Sequence, residues 1–320
     1  MKPRIVFVTP FPDSADMARQ MAPAGYEFVM ASAGSPEYEA AIGDAEYLVG
    51  FVSGLIREEL YANAPKLKLI QLLSAGYDDA DIGAARQAGV PIANNGGANS
   101  VAVSEHAVLL MLAVSRQLVS QHTNVTAGRW RGNGTPRLFE LRNKTVGIIG
   151  LGSIGKKVAR LCQAFGTNVI YYDIARLNEA EEDALGVRFR LLGELLETAD
   201  IVSLHVPLND STHHMIGADA LASMKSSAIL VNTSRGPVVD EKALYDTLAE
   251  GKIQGAGLDV FDEEPPANDH PLFALNNVIL TAHMAGPTFE SHTARIRNGF
   301  DNVQRVTRGE TPLWVIPELD

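Results

Sequence analysis

The 320-residue sequence is poor in three things, and each shortage excludes a class of protein. It carries one cysteine, Cys162, so no intramolecular disulfide can form and no zinc site built on several thiolates is available. A reducing compartment such as the cytoplasm is therefore permitted. Basic residues are outnumbered, with 27 Lys and Arg against 38 Asp and Glu and a net charge of −11. A chain of that sign lacks the surface that drives binding to phosphate backbones, so no nucleic acid partner is expected. Long apolar runs are missing as well. The longest clean stretch, residues 107–114, falls far short of the roughly 20 residues that span a bilayer, so no membrane partner is expected. The opening MKPRIVFV breaks at Thr9-Pro10, too soon for a signal-peptide core. What is present is a hydrophobic fraction of 46% with 20% charged residues, which excludes a disordered chain. At roughly 150 residues per domain the length suggests two domains.

Strand-like runs at 4–9, 26–31, 47–52, 67–72 and 90–93 alternate with helical stretches at 14–21, 36–42, 57–62 and 79–88. Such alternation implies a parallel sheet with helices on its faces. Turn-formers cluster at 94–99, a boundary or hinge. Residues 100–123 read as one long helix, apolar almost all round for half its length, as expected of a helix buried between layers. Residues 128–144, with Trp130 and Arg131, read as a structured loop. A second alternating region follows, with strands at 145–149, 168–172, 201–205, 228–232, 254–259 and 278–281. Its helices fall near 153–164, 192–198, 218–224 and 241–250, the last with Asp240 as N-cap. A final helix covers 288–307, with no strand after it.

The segment VGIIGLGSIG places a GxGxxG pattern on Gly150, Gly152 and Gly155, after an apolar strand and at the start of a helix. Asp173 ends the next strand, 23 residues after Gly150. Strand, glycine loop, helix and a later acid together make a dinucleotide-binding pattern. Gly150 allows the tight turn, Gly152 the approach of a pyrophosphate, and Gly155 close helix–strand packing. The amides near Ser153 and Ile154 meet phosphate at a helix N-terminus. Asp173 accepts from ribose hydroxyls and repels a 2′-phosphate, favouring NAD over NADP, although Arg176 nearby is of the type that accepts a 2′-phosphate. A methyltransferase can also use a glycine loop followed by an acid.

Ligands of open α/β sheets bind outside the carboxyl ends of the strands. Arg235 in NTSRGPVVD, Glu264 in DVFDEEPP and His283 in TAHMAG all fall there. Hydride exchange at a C–OH/C=O centre needs a proton donor or acceptor, the natural task of His near neutral pH. A carboxylate on its far ring nitrogen would orient it, and Glu263 serves that reading as well as Glu264. A guanidinium can clamp a substrate carboxylate. His213-His214 lacks acidic or thiol companions at metal-binding spacing, so no metal is expected. His106 lies in a mostly apolar helix, and Ser104 and Ser120 lack a nucleophile-elbow context.

GLGSIG, NTSRGPVVD, GLDVFDEEPP and TAHMAG, preceded by SVAVSEHAVLLMLAVSR, resemble in this order the D-2-hydroxyacid dehydrogenase family over nearly the whole chain. The resemblance implies an α/β protein of two Rossmann-like or flavodoxin-like parallel-sheet domains with a cleft between them. Residues 1–99 and 288–320 would form the substrate domain and 100–287 the NAD domain. It implies catalytic Arg235, Glu264 and His283, with Thr233 and Asp259 in the cofactor set, Asp259 on the nicotinamide carboxamide. Substrate contacts are implied for Ser53, Arg235 and the turn Ala75-Gly76-Tyr77. The implied reaction is NAD-linked interconversion of a small anionic 2-oxo acid and its (R)-2-hydroxy acid, by a homodimer. An NAD(H)-sensing regulatory protein on the same fold is the alternative, and a formate dehydrogenase of the superfamily would carry Gln in place of Glu264. Two departures stand out. Ala282 replaces the usual Pro before the His, which loosens that backbone, and Tyr77 replaces an apolar residue, adding bulk and a hydroxyl near the substrate.

Overall fold

The computed structural model describes residues 2–131 and 137–319, so residues 132–136 of the expected 128–144 loop lie outside the described residues. The chain divides into two compact units, Met1–Asn99 with Pro287–Asp320, and Ser100–Gly286.

In the first unit, β1 (Arg4–Val8), β2 (Glu27–Ala31), β3 (Tyr47–Gly50), β4 (Leu69–Leu72) and β5 (Ile92–Ala93) form, among the described residues, a parallel five-stranded sheet in the order β2-β1-β3-β4-β5. The helices between them are α1 (Pro12–Met21), α2 (Pro36–Ile42), α3 (Glu58–Asn63) and α4 (Ile82–Ala88). Successive strand residues point to opposite faces, and both faces are covered, so IVFV of β1 and YLVG of β3 are apolar throughout instead of alternating. Ile5, Phe7, Tyr47 and Val49 pack against Ile296, Phe300 and Val303 of the chain's last helix, Phe289–Thr307. On the other face Val6, Val8, Leu48 and Ile70 meet Tyr38, Leu60 and Ala85.

The second unit contains α5 (Ser100–Ser115), α6 (Leu118–Thr126), β6 (Thr145–Ile149), α7 (Ser153–Ala164), β7 (Asn168–Tyr172), α8 (Glu179–Leu185) and β8 (Arg188–Phe189). It continues with α9 (Leu192–Thr198), β9 (Ile201–Leu204), α10 (Ala218–Ser223), β10 (Ile229–Asn232), α11 (Glu241–Ala249), β11 (Gly255–Leu258) and β12 (Val278–Leu280). The last helix of the chain, in the first unit, is α12 (Phe289–Thr307). The strands of the second unit order as β12-β11-β10-β9-β6-β7-β8, all parallel. Order reverses between β6 and β9, the crevice where doubly wound sheets bind ligands.

Three differences from the sequence reading have physical causes. The single helix expected over 100–123 is two helices bent by 61°, with Gln117 at φ +49°. The Ser115 carbonyl accepts from Phe139 N–H instead of continuing the ladder, and Gln117 N–H bonds back to Val114. Helix α8 was not anticipated because EAEEDAL has little apolar face. Its signal is in the caps, an Asn178/Glu181 capping box and Gly186 in the left-handed region. Strand β8 was also missed, being only two residues long. Among the described residues no single helix is long and apolar enough to cross a membrane.

Helix α5 lies close on β11 because Gly257 has no side chain. A Cβ there would come within 2.8 Å of Leu110 Cβ. Gly257→Ala is expected to destabilise by about 1–3 kcal/mol through overpacking. Gly193→Ala, on open helix surface, is expected to stabilise by up to about 1 kcal/mol. Urea unfolding of the two variants checks the contrast.

Candidate active site

The strand ends of the second unit carry its polar residues. After β6 the chain turns at Gly150 (φ +92°), where a Cβ would lie 2.5 Å from the His205 carbonyl oxygen. At Gly155 a Cβ would lie 2.2 Å from Gly150 O. Both glycines are thus demanded by the protein itself. Gly152 is different, since a Cβ there meets nothing within 4 Å. It precedes α7 as N-cap with no side-chain capping bond, so the amides of Ser153 and Ile154 face outward at a helix N-terminus. An open glycine before bare helix amides has the shape and donors that fit a diphosphate.

Asp173, just after β7, braces this loop. Leu151 N–H donates to its Oδ2 at 2.6 Å and Ala175 N–H to its Oδ1 at 2.9 Å. Thr233, at the end of β10, is buried and its Oγ1 has no hydrogen-bond partner among the described residues. His205 Nδ1 after β9 is in the same position, while its Nε2 shares a 2.9 Å hydrogen bond with Ser203. Burial drives the His205 pKa down to about 4, so the ring is neutral. Orphaned polar atoms beside a glycine cradle fit a dinucleotide, whose ribose and amide groups supply such partners.

Beyond β12, His283 takes a left-handed backbone, φ +54°. Its N–H donates to the Asp259 carbonyl at 2.7 Å. The Asp259 carboxylate is buried and accepts from Thr281 Oγ1 (2.5 Å), Met284 N–H (2.8 Å) and Ala285 N–H (2.8 Å). His106 Nε2 bonds Thr281 Oγ1 at 3.0 Å and lies 3.6 Å from Asp259 Oδ1. Asp259 therefore spends its carboxylate on the turn that carries His283, a role the sequence reading did not foresee. That turn is tightly held despite Ala282.

The acid on His283 is Glu264, with 2.6 Å between Oε2 and Nδ1. Glu264 Oε1 accepts from Phe261 N–H at 3.1 Å. Burial works against ionisation of Glu264. The hydrogen bonds from His283 and Phe261, with the charges of His283 and Arg235, outweigh it and hold the carboxyl below its usual range. Arg235 is the residue after Ser234, whose carbonyl accepts from Arg235 Nη1 at 2.8 Å. The corner is folded by Asn232, whose Oδ1 accepts from Ser234 N–H and Oγ and whose Nδ2 donates to Arg235 O. Glu241 holds the other side of the Glu264 loop, pairing with His270 at 2.7 Å and accepting from Asp262 N–H at 3.2 Å. Asn232, Glu241 and His270 were missed. The one signal for Glu241 was its place after the N-cap Asp240.

In the first unit, Ser53 opens a short turn after β3, and Ser74, Ala75, Gly76 and Tyr77 follow the neighbouring β4. Ser74 Oγ donates to Gly76 O at 2.8 Å and Asn94 Nδ2 to Ala75 O at 3.3 Å. The Tyr77 hydroxyl, expected to tune substrate size, is committed to Glu318 at 3.0 Å. Burial and then that carboxylate push its pKa up to about 12. His213 and His214 stack at 4.0 Å, and no group of three or more metal-ligating side chains is present among the described residues.

Residues 108–285 match the NAD binding domain of D-isomer specific 2-hydroxyacid dehydrogenases. A glyoxylate reductase of Korarchaeum cryptofilum is 40% identical over 274 residues, 85% of this chain and 82% of that one. The crystal structure of a glyoxylate reductase from Paecilomyes thermophila superposes with TM-score 0.88 at 31% identity, covering 100% of both chains. A D-lactate dehydrogenase from Aquifex aeolicus, complexed with NAD and lactic acid, gives 0.83 at 30% identity over 95% of this chain and 96% of that one.

Gly152 separates ligand demand from folding demand. Gly152→Ala is expected to leave the melting temperature within about 1 °C of wild type, because nothing in the protein meets the new methyl. NADH affinity, measured by titration calorimetry, is expected to fall about tenfold or more, since the methyl stands where the backbone approaches pyrophosphate.

Proposed function

The chain belongs to the family of D-isomer specific 2-hydroxyacid dehydrogenases, NAD-dependent enzymes, and from that premise we propose that it reduces a small 2-oxo acid of the glyoxylate type to the 2-hydroxy acid, with (R) configuration where the product is chiral. The observation that carries this reading is the 2.6 Å pairing of Glu264 with His283 Nδ1, which leaves Nε2 of a half-exposed imidazole to meet the substrate.

When bound, the reduced nicotinamide supplies a hydride from C4 to the carbonyl carbon of the substrate. His283 Nε2 gives its proton to the carbonyl oxygen, and in the reverse direction takes it back. Glu264, held ionised by its two hydrogen bonds, orients the ring through Nδ1 so that Nε2 is turned to the substrate. Arg235 binds the substrate carboxylate and polarises the carbonyl. Asp259 fixes the turn on which His283 stands. Gly150, Gly152, Ser153, Ile154 and Gly155 hold the diphosphate, Asp173 the adenosine ribose, and Thr233 a further polar group of the dinucleotide. From the first unit we assign substrate contacts to Ser53, Ala75 and Gly76, and to Tyr77 through its backbone and ring. Cys162 is buried and its thiol pushed up to about 12 by burial, consistent with an inert thiol in a reducing cytoplasm.

Steady-state kinetics with glyoxylate, hydroxypyruvate and pyruvate test the assignment. His283→Ala is expected to lower kcat by about 10²- to 10⁴-fold, the usual worth of a general acid. Arg235→Ala is expected to lose about 10²-fold or more in kcat/KM, as a charged hydrogen-bond partner of the substrate. Near-normal turnover of either variant would sink the reading. The Glu264 carboxyl stays ionised as pH falls through the ordinary carboxylate range and is lost only below it, because its folded pKa is lowered. Glu264→Gln removes that charge at every pH, so the alkaline limb of the reduction profile is expected to move to lower pH. Glu263→Gln is expected to leave the profile in place.

We assign the exposed face of α5 and α6 to a second copy of the chain. Val101, Leu109, Leu118, Val119 and Val125 are each more than half exposed there, and Trp130 follows close behind. Exposed apolar side chains recurring along two consecutive helices favour an interaction surface. Light scattering is expected to give twice the chain mass for wild type and the chain mass for the Leu118→Asp, Val125→Asp double variant.

A further inference from the structure

Arg176 lies three residues beyond Asp173, where an arginine can accept a 2′-phosphate. In this fold the guanidinium is turned elsewhere. Its Nε is 3.5 Å from Glu182 Oε1, and its Cζ sits 4.8 Å from the centroid of the Phe189 ring on β8. No Arg176–Asp173 ion pair occurs among the described residues, and the Asp173 oxygens accept from Leu151 and Ala175 N–H instead.

The acid that takes Arg176 is set in place by the fold. Glu182 is only 5% exposed, on α8, and its Oε1 accepts from the Tyr171 hydroxyl at 3.0 Å. That hydroxyl in turn accepts from Leu177 N–H at 3.0 Å, which ties β7, the Arg176 loop and α8 together. The Phe189 ring is held edge-on against Tyr171 at 5.6 Å. A buried carboxylate requires a cation or donors, and a guanidinium over an aromatic face gains further attraction. Arg176 satisfies both from one position, with its outer side still in water.

We propose that Glu182 and Phe189 hold the Arg176 guanidinium away from the adenosine 2′ position, so that selection of NADH over NADPH depends on Glu182 as well as on Asp173. Glu182 is here a positioning residue acting through Arg176. The inference rests on the reading of Asp173 and the glycine loop as the adenosine-ribose and diphosphate site. Exposed ion pairs are weak and Arg176 is mostly exposed, so the effect is modest.

Titration calorimetry of the whole chain with NADH and with NADPH tests it, on wild type, E182Q, F189L, R176A and E182Q/R176A. E182Q keeps an acceptor for Tyr171 while removing the carboxylate charge that faces Arg176. It is expected to tighten NADPH binding at least fivefold with NADH affinity changed less than twofold, and that gain is expected to vanish in E182Q/R176A. F189L leaves the ion pair but removes the ring, and is expected to shift NADPH in the same direction. It decides the matter if E182Q does not fold. An unchanged NADPH-to-NADH affinity ratio in the folded variants, with NADH binding intact, would overturn the role of Glu182 alone. A gain that persists without Arg176 would also overturn it, by assigning the effect to the charge of Glu182 itself. Failure of wild type to bind NADH would overturn both this inference and the dinucleotide site beneath it.

Discussion

The buried carboxylate of Asp259 is the contact on which the geometry of the second unit's site depends. A carboxylate taken out of water must have its lone pairs filled, and Asp259 fills them with Thr281 Oγ1 and the amides of Met284 and Ala285. Those donors lie within two residues of His283 on either side. His283 has a left-handed backbone, which costs an L side chain on the order of 1–3 kcal/mol and persists only where surrounding contacts over-determine it. Here the over-determination is visible, because the Asp259 carbonyl takes the His283 N–H as well. Asp259 thus grips the turn with main chain and side chain together. Proline would have restricted the backbone before His283 by its ring, and in a chain with Ala282 the carboxylate supplies the restriction.

The sheet explains why residues so far apart in sequence meet. In a parallel sheet every strand delivers its carboxyl end to the same edge, so Gly150, Asp173, Thr233, Arg235, Asp259 and His283 reach one rim from five strands. The strands themselves are mostly apolar on both faces. The candidate site residues lie mostly in the segments after the strands, where buried packing no longer dictates side-chain type.

That division also decides what could be read from the residues alone. The strands of both sheets, β8 apart, were legible because runs such as VGII and ILVN are short, β-branched and bounded by turn-formers, and the glycine loop because its three glycines have a fixed spacing. Residues that support the site were not legible, because support depends on contacts distant in sequence. Glu241 and His270 are 29 positions apart, and nothing in either segment names the other. Asp173 looks in sequence like a ribose acceptor, and its bond to Leu151 N–H exists only once β6 and β7 are side by side. The bend at Gln117 likewise follows from Phe139, a residue beyond the helix that captures the Ser115 carbonyl. The Tyr77 hydroxyl was placed near the substrate for the same reason, since its partner Glu318 lies at the far end of the chain.

A chain of net charge −11 that binds a dinucleotide and a small carboxylate must overrule its own field locally. Acidic side chains near the rim already have internal partners, backbone amides for Asp173, the His283 turn for Asp259, and Tyr171 and Arg176 for Glu182. Their charge is compensated at short range, and surface acids farther than about 8 Å are screened by physiological salt. On the proposed assignment an incoming anion is met by the amides at the start of α7 and the guanidinium after β10. The same arithmetic separates large polyanions from small ones. A nucleic acid must be held by charge spread over a wide surface, and there the acidic excess prevails. A diphosphate or a 2-oxo acid needs only a few donors fixed by the fold, and for these the sign of the whole molecule decides nothing.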